Sequence, residues 1–310
     1  MKVFLTGGSG MVGRAILRLA PSVAPEYKIF APSRQELDLL DRVAVRDYIG
    51  NGQFDMVIHA GAKVGGIKAN ISDPVGFMTE NILISTHVID ESRRTEIPKL
   101  INLGSSCMYP RDHRNPLVED DVLAAPLEPT NEGYAIAKIA AARLCQYISE
   151  KNNRLSYRTF IPCNLYGVGD KYDLENSHMI AAAIMKIHDA HKNGDADVEI
   201  WGDGTVRREF LYVDDLAKFI LTTETKLANM PPCLNIGLGR DYTVNEYYRM
   251  IADVIGFKGK FIHNMNAPVG MTHKLMDIST AKSFGWCPET TVLQGAQAAY
   301  DGYLNRGGHE

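Results

Sequence analysis

The 310-residue sequence lacks any apolar run close to the roughly 20 residues that a membrane-spanning helix needs. Its 33 Lys and Arg residues against 37 Asp and Glu residues leave a net charge of −4, which argues against a nucleic-acid partner. The five cysteines form no CxxC pair and no histidine stands at metal-ligand spacing, so neither disulfides nor a metal site are expected. Only three apolar residues follow Lys2, too few for a secretory signal. These absences favour a cytoplasmic protein with a small partner.

What the chain does have is an alternation of short β-rich runs and longer helical patterns. Strands are predicted at Val3–Thr6, Tyr27–Ala31, Asp55–His59, Leu100–Gly104 and Arg158–Pro162, and helices at Met11–Leu19, Val43–Ile49, Phe77–Ser92 and Tyr134–Ile148. This order is typical of an α/β protein with a doubly wound parallel sheet. After Asn164 the pattern changes to a loop-rich stretch, a helix from His178 and a strand near Val198–Trp201, which indicates a smaller α+β lobe.

Three glycines, Gly7, Gly10 and Gly13, follow the first predicted strand, and the next predicted helix begins at Met11 and Val12. The absence of Cβ atoms allows a pyrophosphate to approach the backbone, and the helix N-terminus favours its negative charge. Because the triplet follows a strand and opens a helix, it predicts a Rossmann-type dinucleotide site.

The end of the second predicted strand bears on the choice of cofactor. An acidic residue there would hold a ribose 2′-hydroxyl, whereas this chain has Ser33 and Arg34. Arg34 therefore favours NADP(H), with Ser33 as a second phosphate ligand; the alternative is a solvated surface arginine. Asp41 could meet the adenine edge or cap the following helix.

Tyr134 and Lys138 stand four residues apart, which places both on one face of a helix. An ammonium beside the phenol is expected to lower the tyrosine pKa from near 10, so that Tyr134 can exchange a proton with a carbonyl or alcohol oxygen. Ser105 follows the fourth predicted strand, next to the dinucleotide crevice, where its hydroxyl can bind a substrate carbonyl.

With the glycine turn, Ser105 and the YxxxK spacing, the chain resembles the extended short-chain dehydrogenases/reductases over its whole length. Within them it is similar to the GDP-L-fucose synthase family. The stretches that carry this resemblance are Ala62–Ile67, Leu103–Pro110, Glu128–Glu132, Asn164–Gly167, Asn176–His178 and Arg208–Asp215. The resemblance implies a Rossmann domain at 1–165 plus 211–238, a substrate lobe at 166–210 plus 239–310, and a homodimer.

That family epimerises GDP-4-keto-6-deoxy-D-mannose at C3 and C5 and then reduces C4 with NADPH. The resemblance makes Cys107 the base and His178 the acid of the epimerisation, and Ser105, Tyr134 and Lys138 the reduction set. A thiol needs a positive neighbour to ionise near neutral pH, while an imidazole can act as an acid there. The residues that the resemblance assigns to the nucleotide sugar are Asn164, Lys186, Trp201 and Arg208.

The chain departs from the family in three places, one of which is Ala181, where proline is common. Lys186 stands where arginine is common and cannot make the same bidentate phosphate contact, and the loop 269–274 reads Val-Gly-Met-Thr-His-Lys instead of Asp-Gly-Thr-Pro-Arg-Lys. These departures leave open the same chemistry on a related GDP-4-keto sugar, a 6-deoxy-heptose or a colitose precursor. A non-catalytic NADP-binding regulator is the remote alternative.

Overall fold

The structure, a computed structural model, describes residues 1–173, 177–267 and 271–307. In these ranges the strands are β1 (Lys2–Thr6), β2 (Lys28–Phe30), β3 (Met56–His59), β4 (Lys99–Leu103), β5 (Ser156–Pro162), β6 (Asn164–Tyr166), β7 (Asp197–Trp201), β8 (Arg207–Arg208), β9 (Phe210–Tyr212), β10 (Cys233–Ile236), β11 (Tyr242–Thr243) and β12 (Lys260–Asn264). The helices are α1 (Met11–Val23), α2 (Arg42–Gly52), α3 (Ile67–Ser72), α4 (Pro74–Arg94), α5 (Glu132–Lys151), α6 (Met179–Asn193), α7 (Val213–Thr222), α8 (Val244–Ile255), α9 (Ser279–Ser283) and α10 (Val292–Leu304). Among these described helices, none is both long and apolar enough to cross a bilayer.

Six strands form one sheet in the order β10-β5-β4-β3-β1-β2, and every neighbouring pair is parallel. The chain runs outward from β1 to β2 and then crosses back to β3 on the other side of β1. Such a reversal opens a crevice at the carboxyl ends of the strands. The predicted α/β fold with a doubly wound parallel sheet is confirmed.

The central strands of this sheet, β1, β3, β4 and β5, are buried on both faces, which is why they are nearly continuously apolar in sequence. Val3 and Leu5 pack into the apolar layer on one face, and Phe4 between them packs into the layer on the other. All three side chains are fully buried. The same period of two governs β3 and β4, so the sheet is fixed in register by its core.

A second apolar core lies outside the large sheet. Ile184 of α6, Ile200 of β7, Ile251 of α8 and Ala299 of α10 belong to it. Strand β7 pairs in parallel with β12, and β8 pairs antiparallel with β11. Between β9 and β11 the chain rejoins the large sheet through β10. The boundaries of the two lobes stay a prediction.

Local chemistry sets several helix ends. Asp73 accepts a hydrogen bond from the Gly76 amide at 2.9 Å and caps α4, which has a proline at its first position. His178 is the residue before α6, so that helix begins one residue later than predicted. Strand β2 has three residues, fewer than the sequence pattern suggested.

Candidate active site

A cavity of about 380 Å³ is lined by residues that directly follow β4 and by Asn164, which follows β5 closely. Eight residues predicted from the sequence as site residues lie on its walls. They are Ser105, Cys107, Tyr134, Asn164, His178, Lys186, Trp201 and Arg208. The structure therefore brings the predicted proton-transfer groups and the predicted substrate-binding groups to one place.

Cys107 lies in a 3₁₀ turn, Ser106–Met108, that begins where β4 ends. The Ser105 hydroxyl accepts a hydrogen bond from the Cys107 amide at 3.3 Å, which fixes the start of the turn. Burial raises the pKa of the Cys107 thiol, and the ammonium groups of Lys274 and Lys138 act against this rise. The positive neighbour that a thiol base needs is thus present, but burial has the larger effect.

Tyr134 lies in the first turn of α5, one turn before Lys138. The Lys138 ammonium is 5.7 Å from the centroid of the Tyr134 ring and donates a hydrogen bond to the Leu103 carbonyl oxygen at 2.8 Å. Burial lowers the pKa of Lys138 to about 8. The expected lowering of the Tyr134 pKa was wrong for this structure, because burial raises it. Burial therefore favours the protonated phenol of Tyr134.

His178 stands exposed at the N-terminus of α6, on the cavity wall. The nearby carboxyl group of Asp170 has a pKa raised by burial, and the charge of His178 acts against this rise. Asp170 Oδ1 accepts a hydrogen bond from the Lys171 amide at 2.8 Å, while its buried Oδ2 has no hydrogen-bond partner. Asn176, part of the same sequence motif, lies outside the described residues.

The glycine turn after β1 has the shape that a dinucleotide requires. Gly7 has φ +72°, and a Cβ there would lie 2.7 Å from the Ala60 carbonyl oxygen, so the fold itself demands glycine. At Gly10 a Cβ would meet its nearest atom at an ordinary 3.4 Å. Gly10 precedes α1, and no side chain caps the helix ahead of Met11 and Val12. This open, uncapped helix start fits a pyrophosphate.

Two further residues were predicted to contact the cofactor. Arg34 is exposed in the turn after β2 and makes no hydrogen bond or ion pair with any residue that the structure describes. Asp41 accepts hydrogen bonds from the amides of Val43 and Ala44 at 2.9 and 3.0 Å, and so caps α2. Of the two interpretations of Asp41, the helix cap is the one that the contacts support.

Arg208 also lines the cavity. Burial lowers its pKa, and the negative charge of Glu128 acts against this effect. Asn164, the first residue of β6, donates a hydrogen bond to the Glu209 carbonyl oxygen at 3.2 Å, which ties the start of β6 to the residue between β8 and β9. A half-buried guanidinium on the wall of a cavity is a suitable partner for a phosphate group.

The structure adds Lys274, which the sequence presented only as a member of a divergent loop. Lys274 lines the cavity and makes no hydrogen bond with the described residues, and burial lowers its pKa to about 8 while the charge of Cys107 acts against this. An isolated lysine in a loop carries no spacing signal, so nothing in the sequence linked it to Cys107. Val269 and Gly270 of the same loop lie outside the described residues.

His59 is a second residue that sequence reasoning missed. It is fully buried at the end of β3, with Nδ1 2.8 Å from Thr6 Oγ1 and Nε2 3.3 Å from Ser85 Oγ. Burial, and then the charge of Lys138, lowers the pKa of His59 to about 3, which keeps the ring neutral. The ring ties β1 to β3 beneath the glycine turn, a structural task for which no sequence motif exists.

A parallel sheet with a glycine turn at its switch point and a Ser–Tyr–Lys set beside it define the class of dinucleotide-dependent oxidoreductases and epimerases. The chain belongs to the NAD dependent epimerase/dehydratase family, whose model matches residues 3–237.

Named relatives narrow the similarity further. The chain is 46% identical to a GDP-L-colitose synthase from Yersinia pseudotuberculosis over 98% of both chains. It is 45% identical to a GDP-L-fucose synthase from Azorhizobium caulinodans over 98% of this chain and 96% of the other. A solved GDP-mannoheptose C4 reductase from Campylobacter jejuni with NADP bound superposes with a TM-score of 0.88 at 28% identity, covering 98% of both chains. The resemblance to GDP-L-fucose synthases drawn from the sequence motifs is confirmed.

Proposed function

We propose that the protein is an NADPH-dependent 3,5-epimerase/4-reductase that converts GDP-4-keto-6-deoxy-D-mannose to GDP-L-fucose. The observation that carries this proposal is the single cavity in which a thiol, a phenol and an imidazole face the same space as Arg208 and Trp201. A reductase alone would need the phenol but neither Cys107 nor His178. The names of the relatives point to the same chemistry.

The epimerisation needs a base and an acid on opposite faces of the sugar ring. The 4-keto group acidifies the protons on C3 and C5, and the Cys107 thiolate removes one of them. The electron pair moves onto the C4 oxygen, where the Ser105 hydroxyl donates a hydrogen bond to it. The His178 imidazolium then returns a proton to the carbon from the other face. Lys274 stabilises the thiolate because its ammonium opposes the effect of burial on the Cys107 pKa.

The reduction of C4 uses the same oxygen contacts. When bound, NADPH supplies the hydride that C4 accepts. Tyr134, which burial keeps protonated, gives its proton to the C4 oxygen. The Lys138 ammonium, 5.7 Å from the centroid of the Tyr134 ring, stabilises the phenolate that is left. Ser105 keeps the carbonyl polarised during the step.

The residues present fit a 2′-phosphorylated dinucleotide. The uncapped start of α1 and the small residues of the glycine turn receive the pyrophosphate. The exposed guanidinium of Arg34, without an acidic partner among the described residues, receives the 2′-phosphate. The solved relative that binds NADP supports this choice.

Incubation in deuterated water tests the proposal. Wild-type enzyme with NADPH and GDP-4-keto-6-deoxy-D-mannose should give GDP-L-fucose with deuterium at C3 and C5, as seen by NMR. Cys107→Ser should lose the deuterium incorporation while it still binds NADPH. Cys233→Ser, at a thiol outside the cavity lining, is the matched control and should behave as wild type. Unchanged incorporation in Cys107→Ser would show that the base is another group.

A second candidate is C5 epimerisation and C4 reduction of a GDP-4-keto-3,6-dideoxy sugar on the way to colitose. The relative at 46% identity that is named a GDP-L-colitose synthase favours it. A comparison of kcat/KM for the two GDP-4-keto sugars decides between them, since the preferred sugar should show the higher value.

We further propose that the protein is cytoplasmic. We also propose that it forms a homodimer whose interface consists of α4 and α5. These helices pack against each other and leave apolar side chains in solvent: Val75, Leu83 and Tyr147 are 71%, 46% and 57% exposed. Light scattering after gel filtration should give twice the chain mass. Leu83→Glu should reduce the mass to that of one chain.

A further inference from the structure

The Trp201 side chain at the end of β7 has two lysine ammonium groups beside its ring. Lys186 Nζ lies 5.4 Å from the ring centroid, and Lys68 Nζ lies 5.5 Å from it. All three residues line the cavity. Lys186 belongs to α6, beside the second apolar core, whereas Lys68 belongs to α3, which follows β3 of the large sheet. The two lysines thus approach the Trp201 ring from different parts of the fold, Lys68 from the large sheet and Lys186 from the second apolar core.

The indole ring is held in place by its own contacts. Trp201 Nε1 donates a hydrogen bond to Glu199 Oε1 at 3.0 Å, and Asn264 Nδ2 donates one to Glu199 Oε2 at 3.1 Å. Strands β7 and β12 pair in register, with Trp201 opposite Asn264. Because the ring is fixed and 37% exposed, it offers a flat apolar surface to a ligand.

The two lysines differ in how much of their charge is available. Lys186 Nζ donates to the Glu199 carbonyl oxygen at 3.3 Å, and its pKa is lowered by burial with the charge of Glu199 acting against this. Lys68 is exposed and makes no hydrogen bond or ion pair within the described residues. Within the part of the chain that the structure describes, the Lys68 ammonium contacts the Trp201 ring, a weak attraction at an exposed site. The Lys68 ammonium can leave that ring for a stronger partner.

The backbone that carries Lys68 is anchored. Asn70 is buried and donates hydrogen bonds from Nδ2 to the carbonyl oxygens of Gly65 and Gly66 at 2.9 and 3.0 Å. These bonds close the loop that leads into α3 and hold Lys68 at the cavity wall. Movement of the lysine side chain alone therefore suffices to change its partner.

We propose that Lys68 is a substrate-binding residue that holds the diphosphate of the nucleotide sugar together with Lys186. This assignment rests on the proposed function, because it needs a nucleoside diphosphate in the cavity. A single ammonium at position 186 cannot form the two parallel bonds of a guanidinium fork. Two ammonium groups from different helices contact separate phosphate oxygens instead, while the base or ribose packs on Trp201.

Binding of GDP, GMP and guanosine to the NADPH-loaded enzyme tests the assignment. Lys68→Ala should weaken GDP binding about tenfold, the loss expected for one charge-assisted contact at an exposed site. Guanosine, which has no phosphate, should bind Lys68→Ala and wild type alike. Lys192→Ala removes an equal charge from an exposed position of α6 outside the cavity lining and should change GDP binding less than twofold.

Two further measurements separate binding from structure. Lys68→Arg should restore GDP affinity, and Lys68→Ala should raise the KM for the sugar nucleotide with kcat and the NADPH Kd unchanged. GDP affinity in Lys68→Ala equal to wild type would overturn the assignment, as would an equal loss of guanosine binding. If wild-type enzyme binds no GDP, the proposed function itself fails, and the assignment fails with it.

Discussion

Glu209 predicts a specific dependence of stability on pH. Its side chain is 1% exposed, with Oε1 accepting from the Gly239 amide at 2.7 Å and Oε2 from the Met276 amide at 3.0 Å. Burial outweighs these hydrogen bonds and raises the Glu209 pKa from 4.5 to about 7. Because the folded-state pKa lies above the unfolded one, the folded protein binds the proton more tightly. This contribution to stability is complete below about pH 4.5 and is lost as the pH rises through about 7.

The size of the effect follows from linkage. With pKa values of 4.5 and about 7, the free energy of unfolding should fall by about 2 kcal/mol between about pH 5.5 and about pH 7.5 through this group alone. Glu209→Gln is neutral at every pH and should lose this part of the pH dependence. Urea unfolding of both proteins at the two pH values measures it, with equal m-values as the sign of unchanged two-state unfolding.

Exposed Glu26 provides the control, because Glu26→Gln removes one carboxylate without touching a buried group. The Glu26 variant should keep the wild-type difference between the two pH values. Any constant loss of stability from the amide at position 209 cancels in the comparison across pH. If Glu209→Gln and wild type lose the same free energy between the two pH values, the carboxyl group is not raised in pKa and the reasoning is refuted.

Three other changes test the site. Lys138→Met should slow C4 reduction by up to about a hundredfold in single-turnover measurements. The Lys138 ammonium lies 5.7 Å from the centroid of the Tyr134 ring, and Coulomb's law with an effective dielectric of about 20 gives about 3 kcal/mol for a negative charge centred on that ring. Lys274→Met should move the pH profile of deuterium exchange to higher pH. The positive charge of Lys274 lowers the Cys107 pKa, so its removal should raise that pKa. An unmoved profile would contradict the role given to Lys274. Arg34→Ala should raise the KM for NADPH far more than the KM for NADH, and equal increases would count against a 2′-phosphate contact.

The sequence predicted those parts of the structure that depend on short-range patterns. Strands of the parallel sheet are apolar on both faces, so their runs stand out against the helices between them. The glycine turn was predictable because Gly7 must adopt a positive φ beside Ala60 and because a helix follows directly. The YxxxK pair was predictable because one helical turn brings Tyr134 and Lys138 together.

Short-range sequence patterns could not predict contacts between segments that are distant in the chain. Lys274 follows Cys107 by more than one hundred and sixty positions, and only the folded chain puts its charge near the thiol. The sequence also misled on Tyr134, because spacing shows the neighbouring ammonium but not the burial that raises the phenol pKa. Burial is a property of the whole cavity wall, to which α5, α6, β7 and several loops contribute.

The chain has a net charge of −4, whereas the wall of the cavity is positively charged. The charge of the cavity, and not that of the whole chain, determines which ligands bind. Of the Lys and Arg residues that the structure describes, four line the cavity wall: Lys68, Lys186, Arg208 and Lys274. They come from separate elements, and burial lowers the pKa of the last three, so the cavity is an unfavourable place for more positive charge. A diphosphate reverses this, because its negative charge favours the protonated form of the neighbouring lysines. Substrate binding should therefore be coupled to proton uptake, which calorimetric titrations of GDP in buffers of different ionisation enthalpy would measure. Heats that do not depend on the buffer would show that the lysines are already fully charged before the nucleotide arrives.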